Sequence, residues 1–159
     1  MPSPDKNPPA HAELIREIRN VFSRVQRTNG ISLHETEVID RYGTPSERQK
    51  ARQKDIDANW WEVRDEWIEE LGGVGGLAFL DGIGLRYYLP AYLCYWLRRS
   101  KEPNGLTYCL QDTHKLPFET LFRPDERKVI AKFLKHIHRH FRDEEAKEAL
   151  DTFWGRYLD

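Results

Sequence analysis

The chain has 159 residues, 39% hydrophobic and 32% charged, with a formal net charge of −1. That length suits one domain with a substantial core, and the near-neutral balance excludes nucleic-acid recognition by bulk charge. No run approaches the roughly 18 apolar residues needed to cross a bilayer.

In chain order, Met1-Pro-Ser-Pro-Asp-Lys-Asn-Pro-Pro9 lacks the apolar centre of a signal peptide and reads as a disordered leader. A single mainly helical domain is expected over residues 10–159, in the cytoplasm. Leu14, Ile15, Ile18, Val21, Phe22 and Val25 make one apolar stripe at helical spacing, and Asn29-Gly30 supplies a left-handed stop. Ser32 and Glu35 have capping-box spacing and open a short helix that ends near Gly43. Thr44-Pro-Ser-Glu47 starts another, polar throughout and so expected on the surface. A helix carrying Trp60, Val63, Trp67, Ile68 and Leu71 follows and breaks at Gly72-Gly-Val-Gly-Gly76. Residues 75–80 read as a loop or extended stretch.

Asp81 then caps the most apolar helix, which runs to about Ser100 with Pro90 in its middle. An interior proline removes a backbone hydrogen bond and bends or breaks a helix at a cost of roughly 3 kcal/mol. The alternation of Leu106, Tyr108 and Leu110 allows a short strand or hairpin near 106–110. Pro124, Asp125 and Glu126 open a helix with buried Ile130, Phe133, Leu134, Ile137 and Phe141. Beyond it, Leu150, Phe153 and Tyr157 fall on the opposite side of a straight helix, so a break at Arg142-Asp143 is expected, with Asp143 capping a final helix. The fold class is all-α or mainly α: a compact bundle around a Pro-kinked central helix.

Few residues suggest chemistry. His136 and His140 share a helix face and could chelate a transition metal with a third ligand; the alternative is a solvated flank. Arg127, Lys128, Lys132, Lys135, Arg139 and Arg142 could track phosphates along the helix 127–142, yet Asp143, Glu144, Glu145 and Glu148 follow at once and compete for them. The glycine run lacks the Lys-Ser/Thr of a phosphate-binding loop. His34 and Glu35 are adjacent, about 100° apart on a helix, and form no acid/base pair unaided. Cys94 and Cys109 read as two reduced thiols, with Cys94 buried and inert among large apolar neighbours. No catalytic motif and no cofactor motif is present.

Most weight falls on Arg86, Tyr88, Tyr92 and Tyr95, with Trp60 and Trp61 nearby in the expected bundle. One reading is a large-ring core. The other is a concave aromatic patch, rimmed by Arg86, that holds a ligand or a partner segment.

Several stretches are similar to a family of small bacterial proteins, a domain of unknown function. They are Ser32-Leu-His-Glu35, the Trp60-Trp61 helix, Leu77-Ala-Phe-Leu-Asp81, Arg86-Tyr-Tyr-Leu-Pro-Ala-Tyr-Leu93 and the segment from Leu121 to Leu134. Gly82-Ile-Gly84 departs from the family's first turn, which should loosen that helix start, and Arg123 replaces its usual Ser/Thr-type cap. The resemblance implies a bacterial cytoplasmic protein and lends no residue a catalytic role. The expectation is a non-catalytic protein-binding or regulatory module. A small-ligand protein or enzyme with an aromatic and arginine pocket, and a nucleic-acid binder using helix 127–142, are the alternatives.

Overall fold

A computed structural model describes residues 10–55, 58–71, 74–103, 105–111 and 116–158. The expected leader over 1–9 lies outside them, as do Gly72 and Gly73 of the glycine run. The described residues form ten α-helices and two 3-10 turns, with no strand among them, in accord with the all-α reading.

Helix α1 (Ala10–Val21) turns Leu14 and Ile18 to the core, and Phe22 and Val25 follow just past its end. The left-handed residue after it is Thr28, with φ 46°, and not Gly30. Gly30 is needed for another reason: a Cβ there would lie 2.8 Å from the backbone nitrogen of Gly84.

Helix α2 (Leu33–Asp40) begins at the expected Ser32–Glu35 capping box, the Ser32 N–H donating to Glu35 Oε1 at 3.1 Å. The Ser32 hydroxyl is buried without a partner among the described residues. Helix α3 (Pro45–Arg52) opens on a box of the same kind, the Glu47 N–H donating to Thr44 Oγ1 at 3.1 Å and the Thr44 N–H to Glu47 Oε1 at 3.2 Å. It lies on the surface, as its polarity requires, and is tied down by charge. Arg52 Nη1 donates to Glu35 Oε1 at 2.6 Å, and Arg48 Nη2 to Oε2 at 3.3 Å. Burial would raise the Glu35 pKa, but Arg52 and the Ser32 N–H outweigh it and hold the carboxyl below its ordinary value.

The single helix expected from Trp60 to Leu71 is instead a 3-10 turn (Trp60–Glu62) followed by α4 (Asp65–Leu71). Glu62 folds back to accept the N–H groups of Ala58 and Asn59, closing the turn, and Val63 leaves it extended. The break lets the buried Trp60 indole donate to the carbonyl of Phe22 at 2.9 Å. Of residues 75–80, expected as loop or extended, 75–78 instead belong to a short helix, α5 (Val74–Ala78), and Phe79 and Leu80 form the expected loop.

Helix α6 (Gly82–Arg99) is the centre of the bundle, packed by α1, the first 3-10 turn, α4 and the short helix over Phe118–Leu121. Asp81 Oδ1 accepts both the Gly84 N–H at 2.8 Å and the Ile31 N–H at 2.9 Å. A Cβ on Gly84 would fall 2.5 Å from the Ile31 carbonyl, so the glycines expected to loosen this start instead let the α1–α2 connection close upon it. The helix runs unbroken through Pro90 and ends at Ser100, φ 52°.

The strand allowed near 106–110 is a helical turn, α7 (Leu106–Cys109). Leu106 and Leu110 are four apart and buried on one side while Tyr108 faces out, a pattern that one helical turn and a short strand share. After α8 (Phe118–Leu121), helix α9 (Pro124–Phe141) ends at a left-handed Arg142, and Asp143 Oδ1 caps α10 (Glu144–Thr152) through the Ala146 N–H at 2.9 Å. The expected break is therefore where it was placed. A closing 3-10 turn (Trp154–Tyr157) buries Trp154 against Phe118, Phe122 and Phe153, its indole donating to the Leu110 carbonyl at 2.9 Å.

Candidate functional site

The tyrosine helix faces inward. Tyr88 and Tyr92 have 0% exposure and Tyr95 has 5%, so their rings are core and line no open groove. The Tyr88 hydroxyl accepts from Arg27 Nη1 at 3.0 Å, and the Tyr95 hydroxyl donates to Glu69 Oε1 at 3.0 Å. Burial and the nearby carboxylate push the Tyr95 phenol above its ordinary pKa. The Tyr92 hydroxyl has no partner among the described residues, and burial raises its pKa strongly.

Arg86 is no free rim cation. Its Nε and Nη2 grip the carboxylate of Glu126 at 3.0 and 2.9 Å, a bidentate pair with the glutamate fully buried. Glu126 Oε1 also accepts the Arg123 N–H at 2.8 Å, which closes the N-terminus of α9. Arg123 makes no side-chain cap, as expected; Asp125 Oδ1 accepts the Glu126 N–H at 2.9 Å in its place, and the Glu126 carboxylate locks α6 to α9.

An open aromatic site lies elsewhere on the bundle. A cleft of about 210 Å³ opens between α1, the first 3-10 turn, α4 and α6. Ile15, Val63, Ile68, Ala91 and Cys94 make its apolar floor, with Trp60 and Trp61 as a wall and Arg19, Arg98 and Asp65 at the rim. Trp60 is buried and anchored, while Trp61 is 40% exposed and meets it edge to face at 5.6 Å. The Arg19 guanidinium sits over the Trp61 ring, 5.6 Å from its centroid, and has no carboxylate partner among the described residues. Arg98 Nη2 contacts Asp65 Oδ1 at 2.9 Å in an exposed pair. Burial pushes the Cys94 thiol up to about 12, so it stays protonated and inert at neutral pH. The cleft can seat an apolar group and offer cations to an adjoining carboxylate.

Of the residues singled out in sequence, Trp60 and Trp61 belong to this cleft, and Arg86, Tyr88, Tyr92 and Tyr95 do not line it. Arg19 and Arg98 were missed. Arg19 falls on the polar side of the α1 stripe and Arg98 in the last turn of α6, where basic residues need no functional reason.

The other candidates are dispersed. His136 and His140 stack with centroids 4.0 Å apart, and His140 Nδ1 lies 3.1 Å from the His136 carbonyl. Burial and the neighbouring His140 and His11 depress the His136 pKa. Among the described residues no group of three or more His, Cys, Asp or Glu is placed to hold a metal ion. On α9, Lys132 pairs with Glu17 at 2.7 Å, while Arg127 lies over the Tyr157 ring and donates to the Glu119 carbonyl. Part of the basic stripe is therefore spent within the fold. His34 finds its carboxylate in Asp55, not in Glu35.

Among the described residues no helix is long and apolar enough to cross a membrane. No curated protein and no solved structure matches the chain. Residues 10–158 match the family of unknown function DUF6714, nearly the whole of the described fold. The chain belongs to that family, DUF6714, whose function is not known.

Proposed function

We propose that this protein is a non-catalytic binding module of the bacterial cytoplasm whose partner is another protein, held at the Trp61 cleft. The observation that carries the reading is the half-exposed Trp61 beside Arg19 and Arg98 over an apolar floor. Exposed tryptophan and arginine around a desolvated pocket are the residues that dominate protein interfaces. The cleft volume suits one large apolar side chain, and the arginines suit a carboxylate beside it. The partner segment is therefore an aliphatic or aromatic residue next to an acid or to a free C-terminus. Inert Cys94, and the pairing of the cleft's carboxylate Asp65 with Arg98, favour binding over catalysis.

The test is to pan peptides displayed with free C-termini against the full chain and measure the enriched peptides by calorimetry. Trp61→Ala and the double variant Arg19→Ala/Arg98→Ala should each weaken binding by at least about tenfold, as expected of an interface hot spot. Enriched peptides that bind these variants as well as the parent would sink the proposal. Binding of free aryl carboxylates, with no peptide enriched, would turn the reading toward a small ligand.

A further inference from the structure

The second feature with the shape of a site lies on the α2–α3 side, away from the Trp61 cleft. His34 is the second residue of α2. One carboxylate holds both its backbone and its ring: Asp55 Oδ2 accepts the His34 N–H at 2.7 Å, and Asp55 Oδ1 lies 2.6 Å from Nδ1. The Asp55 side chain is fully buried, and the Trp67 ring meets the imidazole edge to face at 5.0 Å. An imidazole held this way has one orientation, with Nδ1 committed to Asp55 and Nε2 left over. Among the described residues Nε2 makes no hydrogen bond.

His34 lines a surface cavity of about 330 Å³ together with Glu37, Arg41, Glu47, Lys50 and Lys54. Lys50 and Lys54 are four apart, and neither pairs with a carboxylate among the described residues. Glu47 is diverted: it accepts the Thr44 N–H and hydroxyl and pairs with Arg41 at 3.4 Å. The Thr44 contacts and Arg41 hold its carboxyl below the ordinary value. Glu37 is the remaining carboxylate and opposes an anion.

We propose that this cavity binds a small phosphate-bearing anion, a phosphomonoester or free phosphate. Lys50 and Lys54 supply the charge, and the Asp55-fixed ring of His34, bound as the imidazolium, donates one directed hydrogen bond from Nε2–H to a phosphate oxygen. A compact dianion suits two point charges and a single oriented nitrogen. Asp55 fixes the ring before the anion arrives, so its ordering costs nothing on binding.

The experiment titrates the full chain with inorganic phosphate and with phenyl phosphate at constant ionic strength, chloride making up the balance. The readout is the His34 imidazole ¹⁵N and ¹H resonances. A saturable shift is expected, its affinity falling about tenfold in Lys50→Ala/Lys54→Ala and rising severalfold in Glu37→Gln, as removal of near charges predicts. These residues are exposed, and circular dichroism confirms that the variants fold. No saturation up to tens of millimolar, an equal response to chloride, or an unchanged affinity in the lysine variant would each overturn the site. Saturation by phenyl phosphate alone points to an esterified ligand, and equal binding of both points to the free anion.

Discussion

The tyrosine face of α6 and the Trp61 cleft are made from the same materials and do opposite things. Each combines large rings with arginine. In the first, Tyr88 and Tyr92 are sealed and Arg86 is consumed by a buried carboxylate, Glu126. In the second, Trp61 stands half in solvent, and Arg19 rests on its face without a carboxylate of its own. The composition of a patch therefore does not decide whether it is core or surface. What decides is whether a neighbouring element arrives with the complementary group. Helix α9 brings Glu126 to Arg86; no described element covers Trp61.

The largest test of this contrast is Arg86→Ala. It strands a buried carboxylate and should destabilise the fold by about 3–5 kcal/mol, measured by urea unfolding. A loss under about 1 kcal/mol, the range of exposed pairs, would mean that the Arg86–Glu126 pair is no anchor and would erase the difference between the two regions.

Glu35 provides a second anchored charge, this one readable by pH. Its folded-state pKa lies below the unfolded value, so its stabilisation is complete at neutral pH and disappears as pH falls through the folded value. Glu35→Gln should cost about 1–2 kcal/mol at pH 7, the worth of charge-assisted bonds. The gap to the parent should begin to narrow in the ordinary carboxylate range and close as pH falls through the folded value. A gap that persists in acid would place the effect in packing, not in charge.

Within α6, Tyr88→Phe and Tyr92→Phe separate a bonded hydroxyl from an unbonded one. The first loses the bond from Arg27 and should cost about 1 kcal/mol; the second removes a buried hydroxyl without a partner among the described residues and should be neutral or stabilising. Equal losses would show the Tyr92 hydroxyl to be satisfied. On the exposed side, Trp61→Ala should cost only about 0.5–1 kcal/mol, for an exposed ring and its cation contact. A larger loss would make Trp61 a fold residue after all, and would blunt its use as a binding probe.

The elements that local patterns could reveal are those whose hydrogen bonds close within a few residues. Thr44 with Glu47, Asp81 with Gly84 and Asp143 with Ala146 all cap helices as their spacing required, and the turn at Arg142 followed from the misaligned stripe beyond it. Where a run is only four or five residues long, periodicity loses its power. Hence Leu106 to Leu110 passed for a strand, and the turn at Trp60–Glu62 was merged with α4.

Composition and spacing by themselves determined a mainly helical chain, its long helices and most of the residues that stop them, because capping and amphipathic periodicity are local physics. Tertiary structure alone decided which arginine was spent and which was free, which tyrosine had a partner, and that His34 answers to Asp55 rather than to Glu35. Those outcomes depend on pairs separated by 21, 40 and 61 residues, and only the packing of helices brings such groups within hydrogen-bond reach.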